Sequence, residues 1–206
     1  MTAITHLFTD LGGVLLTNGW DRGLRKVVAQ EFGLDAGETQ EMDERHHLTY
    51  DTYESGKMDL EEYLRRILFF RARSFTSREV IDFILNQARA FPEMIELVCG
   101  IKGRYGLKVA VLSNEGRELT VDRIARFHLR EFVDFFIVSA FVHLRKPDEQ
   151  IFRLALDVAQ ADPGAVAYLD DRGLFCEVAE RMGIHAVWHR DLETTRAALA
   201  QLGLAL

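Results

Sequence analysis

Apolar runs alternate with amphipathic stretches over the second half of the chain. Leu107-Lys-Val-Ala-Val-Leu-Ser113 predicts a strand, and Glu118 to Phe127 predicts a helix with Leu119, Ile124 and Phe127 on one face. Phe132–Val138 predicts the next strand. Asp148 then serves as the N-cap of a helix that turns Ile151, Leu154, Ala155 and Val158 inward. The strand expected over Ala165–Leu169 leads to a helix from Leu174 to Met182. The strand over Ile184–Trp188 leads to a helix from Leu192 to Leu202. With residues 4–9 that makes five strands. Strands alternating with helices imply an α/β fold: a Rossmann-like, doubly wound parallel sheet with right-handed crossovers and helices on both faces.

Residues 20–90 break this rhythm. Arg22 to Phe32, Asp59 to Arg73 and Ser77 to Arg89 have helical patterns, and no stretch between them is a convincing strand. Phe91-Pro92 marks a boundary, after which a helix from Glu93 to Arg104 leads back into the sheet. The expected organisation is an α/β core built from residues 1–16 and 92–206, with a helical segment over 17–91 inserted after the first strand.

Composition narrows the function classes. The 206 residues are 48% hydrophobic and 28% charged, as in an ordinary globular chain. No apolar run approaches the roughly 18 residues of a membrane span, and the N-terminus lacks the basic-then-apolar order of a secretory signal. A net charge of −7 without a lysine or arginine block disfavours nucleic-acid binding. Cys99 and Cys176 sit in helical patterns and read as small buried residues in a reducing, cytoplasmic setting rather than as a disulfide or metal site. Oligomeric state is left open between monomer and homodimer.

In an open parallel sheet, ligands bind beyond the carboxyl ends of the strands. Those ends are Asp10 after the first strand and Ser113-Asn114 after the second. Arg145-Lys146-Pro147 follows the third, and Asp170-Asp171 the fourth. Such groups suit a phosphate and a divalent cation. A carboxylate can attack phosphorus and form an aspartyl-phosphate. Mg²⁺ takes hard oxygen ligands, which Asp10, the Gly12 carbonyl and Asp171 can supply with Asp170 close by. The Ser113 hydroxyl, the Asn114 amide and the Lys146 ammonium can hold phosphate oxygens, and the amides of Leu11-Gly12-Gly13 can form an anion-binding nest. Each piece alone has a plainer reading: a turn aspartate, a helix N-cap, a solvated helix start. The weight lies in four pieces, in order, at the strand ends of one sheet.

Asp10-Leu-Gly-Gly-Val-Leu, Leu112-Ser113-Asn114, Arg145-Lys146-Pro147-Asp148 and Leu169-Asp170-Asp171 resemble the four motifs of the haloacid dehalogenase superfamily. The helical segment directly after the first motif is similar to the cap of its C1-capped phosphatases, including the glucose-1-phosphatase-like group. The resemblance implies that Asp10 is the nucleophile and that Asp10, Asp171 and the Gly12 carbonyl hold Mg²⁺, assisted by Asp170. It also implies that Ser113, Asn114 and Lys146 bind phosphate. The activity it implies is a Mg²⁺-dependent phosphatase acting on a small phosphorylated metabolite, with sugar phosphates among the candidates. Two alternatives are a 2-haloacid dehalogenase-type hydrolase, in which the same aspartate attacks carbon, and a degenerate member that binds phosphate or a partner without turnover.

Three positions depart from the family pattern. Gly12 stands where most phosphatases of the superfamily carry an aspartate that protonates the leaving oxygen and later activates water. Asp-Leu-Gly is shared with the glucose-1-phosphatase-like members. Phe175 replaces a common asparagine, and His143 a frequent glycine. Asn18, Trp20 and Arg22 lie near the expected site entrance, with Trp20 read as a packing residue. Arg45-His46-His47 is a general acid/base candidate whose plainer reading is a solvated helix face or turn. Glu115 can reach the cleft, with a helix-start acid as the simpler account, and Phe69-Phe70 and Phe135-Phe136 read as core.

Overall fold

The computed structural model describes residues 3–206. Its five strands are β1 (His6–Thr9), β2 (Lys108–Ser113), β3 (Phe135–Val138), β4 (Val166–Asp170) and β5 (His185–Trp188). All neighbours run parallel, in the order β3-β2-β1-β4-β5. Successive strand residues face opposite sides, and the apolar ones sort accordingly. Leu7, Val109, Val111 and Leu169 join one core layer with helices α5 (Pro92–Tyr105), α6 (Arg117–Arg126) and α10 (Leu192–Gln201). Phe8, Ala110, Leu112 and Tyr168 join the other with α8 (Glu149–Ala159) and α9 (Gly173–Arg181). The expected doubly wound architecture is present. The third strand starts three residues later than expected, because residues 129–131 form a 3-10 turn that Phe132 ends.

Between β1 and α5 the chain forms four helices: α1 (Arg22–Glu31), α2 (Ala36–Glu54), α3 (Leu60–Ile67) and α4 (Ser77–Gln87). They enclose an apolar cluster of their own, which includes Trp20, Met42, Tyr53, Leu64 and Val80. The two crossings between this cluster and the sheet lie side by side. Leu16 and Ala90 form an antiparallel bridge, flanked by bonds from Thr17 N–H to the Arg89 carbonyl (2.9 Å) and from Phe91 N–H to the Leu15 carbonyl (2.8 Å).

The longest helix, α2, was not expected, because no single apolar stripe runs along it. Its buried residues are Met42, His46, Tyr53 and Glu54, two of them polar. The readable signal is a capping box at its start, in which Asp35 and Glu38 satisfy each other's backbone amides. Helix α3 stops at Ile67, short of the expected Arg73, because arginines take its last carbonyls: Arg45 bonds the Arg66 oxygen (3.3 Å) and Arg73 the Leu68 oxygen (2.9 Å). A single helical turn, α7 (Ser139–Val142), follows β3.

The C-terminal end of α2 rests on that turn. The Ser139 hydroxyl donates to the Glu54 carbonyl (2.6 Å), and the His143 ring donates from Nδ1 to the Ser55 carbonyl (2.8 Å). Orphan carbonyls of one helix are thus satisfied from the loop after β3. His143 has φ +59°, the left-handed region that favours glycine, and its ring makes the contact that a glycine there would lack. Gly56 also has a positive φ (+69°), and a Cβ built on it would stand 2.2 Å from the Ala140 carbonyl oxygen. The Gly56→Ala variant combines backbone strain with a clash against main chain. It is expected to lose about 1–3 kcal/mol, read as a lower urea midpoint; an unchanged midpoint would show that this contact is not made.

Candidate active site

The carboxyl ends of β1, β2 and β4 and the loop before α8 meet at the mouth of a cavity of about 590 Å³. Asp10, Gly12, Ser113, Asn114 and Asp171 line its floor, and residues of α1 and α2 line its roof. Asp10 is 7% exposed. Its backbone N–H donates to the Leu169 carbonyl (2.8 Å), and its Oδ1 accepts the Leu11 N–H (2.8 Å). Burial raises the pKa of the Asp10 carboxyl, opposed by Lys146; Asp170 pushes it further up, and the Ser113 hydroxyl and Leu11 N–H pull it down.

Lys146 is the electrostatic centre of this floor. It is 1% exposed. Its Nζ donates to Asp170 Oδ2 (2.5 Å) and to the Leu112 carbonyl (2.9 Å), and lies 3.3 Å from Asp10 Oδ1. Burial works against the ammonium, yet Asp10 and Asp170 together outweigh it and hold the pKa above that of an ordinary lysine. The Phe175 ring packs with its centroid 5.0 Å from Nζ, so the phenylalanine that departs from the family pattern sits against the cation.

Asn114 does something beyond what was expected. Its amide nitrogen donates to the Lys146 carbonyl (2.8 Å), and its amide oxygen accepts the Lys146 N–H (2.8 Å). The side chain fixes the loop that carries Lys146, and it still lines the cavity with one amide hydrogen that has no protein partner among the described residues. The anion nest is reduced. Leu11 N–H is spent on Asp10 and Gly13 N–H on the Leu16 carbonyl (2.7 Å), while Gly12 N–H has no protein partner among the described residues. The Leu11 side chain lies in the sheet core.

Asp10, Asp170 and Asp171 place carboxylate oxygens within 4.8 Å of one another. Three carboxylates around one ammonium leave an excess of negative charge, which suits a divalent cation with oxygen ligands. They are not equivalent. Asp170 is fully buried, its Oδ2 takes the Tyr168 hydroxyl as well as Lys146, and its Oδ1 takes the Arg172 N–H (2.8 Å). Asp171 is only partly buried, and its carboxylate packs so closely on the first loop that a Cβ at Gly13 would stand 2.4 Å from Oδ2. Burial raises the Asp171 pKa, with Asp170 adding to the shift and Arg172 and Lys146 opposing it. Asp10 and Asp171 are therefore the carboxylates that border the cavity, while the oxygens of Asp170 are taken up by Lys146, the Tyr168 hydroxyl and the Arg172 amide.

Gly12 itself supplies no acid to the cavity. A Cβ there would meet Asn18 Oδ1 at 3.0 Å. Asn18 belongs to a loop pinned by Arg123, whose Nη2 donates to the Thr17 carbonyl (2.7 Å) and whose Nη1 pairs with Glu115 Oε1 (2.7 Å). Glu115 is thus no solvated helix-start acid. It is 5% exposed, lines the cavity, and burial raises its pKa against the pull of Arg123 and Thr120.

The helical side corrects another expectation. His46 is 6% exposed and lines the cavity, whereas a solvated position was expected. Trp20 packs in the helical cluster as expected and also reaches the cavity. Tyr168 and the Glu115–Arg123 pair carried no motif signal. Tyr168 was reachable from strand periodicity alone, since it shares a face of β4 with Asp170 two residues on.

A sequence profile of haloacid dehalogenase-like hydrolases matches residues 4–183. Among curated proteins, the chain is 28% identical over 133 residues to bifunctional epoxide hydrolase 2 of Sus scrofa, covering 63% of this chain and 24% of that protein. The chain thus spans about a quarter of that relative's length. Among solved structures, the fold is similar to the HAD family enzyme bt-2542 of Bacteroides thetaiotaomicron (TM-score 0.79, 20% identity, 92% of this chain and 95% of that one). That enzyme has also been solved in complex with magnesium and inorganic phosphate. The L-2-haloacid dehalogenase of Xanthobacter autotrophicus, with chloropropionic acid covalently bound, superposes with a TM-score of 0.63 at 18% identity, over 98% of this chain and 85% of that one. With its sheet, its strand-end aspartates and a match over most of its length, the chain belongs to the haloacid dehalogenase-like hydrolases.

Proposed function

We propose that this hydrolase is a Mg²⁺-dependent phosphomonoesterase that acts on a small phosphorylated metabolite through an aspartyl-phosphate on Asp10. The observation that carries the reading is the group around Lys146: a nucleophile candidate and Asp170 share one buried ammonium, and a third carboxylate, Asp171, stands beside them at the cavity. A dehalogenase attacking carbon needs no cation, and the open carboxylate of Asp171 would have little purpose in one. The magnesium and phosphate bound by the Bacteroides thetaiotaomicron enzyme support the same choice.

The chain's own residues have distinct tasks in this reading. Asp10 attacks phosphorus; the bond to the leaving oxygen breaks, and water later cleaves the acyl phosphate and restores the carboxylate. Lys146 and Ser113 stabilise charge on the phosphoryl oxygens, and Gly12 N–H is free to do the same. Magnesium held by Asp10, Asp171 and the Gly12 carbonyl would neutralise phosphoryl charge. The helical segment over 17–91 acts as a cap that excludes water and selects the substrate. The cytoplasmic setting and small-molecule partner read from the sequence belong to the same proposal.

With 4-nitrophenyl phosphate and Mg²⁺, the wild type is expected to release phosphate, and Asp10→Asn or excess chelator to abolish release. Equal rates for Asp10→Asn and wild type would remove Asp10 as nucleophile. Chelator-insensitive halide release from a 2-haloacid would establish the dehalogenase reading instead.

Because residue 12 supplies no acid, the rate should depend steeply on the leaving group. Activated aryl phosphates are expected to exceed alkyl phosphates in kcat/KM by about 10²–10⁴, the usual worth of general acid catalysis. Similar values across a leaving-group series would mean that another residue donates the proton.

A further inference from the structure

The roof of the cavity contains a hydrogen-bond chain that the phosphoryl chemistry does not use. Trp20 Nε1 donates to the Tyr63 hydroxyl oxygen (2.6 Å), and that hydroxyl lies 2.7 Å from His46 Nδ1. An indole N–H can only donate. The Tyr63 oxygen therefore accepts from Trp20, and with no other acceptor bonded to it among the described residues its single hydrogen goes to His46, which makes Nδ1 the acceptor. The ring proton then sits on Nε2. That nitrogen has no protein partner among the described residues and is not among the fully enclosed polar atoms, while the ring borders the cavity.

The surroundings keep this ring uncharged. Protonation would put a second hydrogen between Nδ1 and the Tyr63 hydroxyl. Burial and the nearby Arg25 and His47 lower the pKa to about 4, against the opposing pull of Asp43. Tyr50 stacks at 4.5 Å and is itself held protonated by burial. Arg25 is held in place, its Nε bonding Asp43 (2.7 Å) and its Nη1 the Trp20 carbonyl (3.2 Å).

We propose that His46 is a specificity-determining residue: the Trp20–Tyr63–His46 chain locks its imidazole as a neutral Nε2–H donor to an uncharged oxygen in the alcohol part of the substrate. The inference rests on the phosphomonoesterase reading only for the identity of the ligand. At equal leaving-group reactivity, a fixed neutral donor favours a hydroxyl-bearing alcohol part over an apolar one, because an apolar group in that place would leave the N–H unpaired.

The test uses ¹⁵N-labelled full-length Asp10→Asn protein, in which turnover is blocked, with Mg²⁺. His46 is assigned by loss of its signals in an Asp10→Asn/His46→Gln protein. The expected spectrum shows the neutral Nε2–H tautomer from pH 7 down to about 5.5, and the Nε2 resonance moves with glycerol 3-phosphate but not with inorganic phosphate. An Nδ1–H tautomer, an imidazolium at neutral pH, or identical responses to the two ligands overturns the proposal. In the otherwise wild-type chain, His46→Leu should cost about tenfold in kcat/KM for glycerol 3-phosphate and cause no loss with phenyl phosphate, whose alcohol part carries no further oxygen. His46→Gln, which keeps both an acceptor for Tyr63 and an N–H donor, should restore most of the loss. Equal losses for both substrates would mark a structural role and defeat the inference. Absence of turnover by the wild type on every phosphate would count against the phosphomonoesterase reading alone and leave the tautomer result standing.

Discussion

One buried ammonium organises this molecule's chemistry. Lys146 has almost no contact with water, and its charge is tolerable only because Asp10 and Asp170 lie against it and the Leu112 carbonyl takes another of its hydrogens. The converse holds as strongly. Asp170 has no access to solvent, and its ionised form depends on Lys146, the Tyr168 hydroxyl and the Arg172 amide. Removing any one partner leaves a charge or a polar group buried without compensation. The arrangement of the strand ends is therefore a condition of folding as well as of catalysis. Asn114, by clamping the Lys146 backbone from β2, ties the cation to the sheet.

The same loop faces outward as well. Arg145, the residue before Lys146, pairs with Asp51 and Glu54 on α2, while Ser139 and His143 take carbonyls at that helix's end. Adjacent residues on one segment thus serve two bodies, one side chain turned to the sheet and one to the helical roof. The roof meets the floor through polar contacts, the paired crossings at Leu16 and Ala90, and an apolar contact in which Leu119 of α6 joins the helical cluster and Tyr53 packs on Gly116. Such an interface holds geometry without fusing two cores into one.

Much of the fold was legible because parallel sheets advertise themselves. Strands buried on both faces are near-continuous apolar runs, and the carboxyl ends collect the polar chemistry, so Asp10, Ser113, Lys146, Asp170 and Asp171 all fell at the same edge. What escaped was built from tertiary pairing. Helix α2 has no apolar stripe because its buried face carries His46 and Glu54, satisfied by Tyr63 and Arg145 from other elements. Glu115 looks like a solvated acid until Arg123 is brought beside it. Asn114 reads as a phosphate ligand from its residue type; only the loop geometry shows that its amide also clamps the Lys146 backbone. Periodicity reports burial on average, and it is silent about which polar residues find partners.

The glycine at position 12 has a consequence for how this site can change. The place of a side chain there is occupied by Asn18, Asn18 is held by a loop that Arg123 pins, and Arg123 is held by a buried Glu115. An acid at residue 12 would have to displace the asparagine and crowd a guanidinium already committed to two partners. Its charge would also join a floor that is negative in excess. Acquiring a general acid therefore means moving the end of the Asn18 side chain as well as changing residue 12. The absence of that acid is a feature of the packing around it, and a lineage that began with this arrangement would find it easier to alter the substrate than to restore the proton donor.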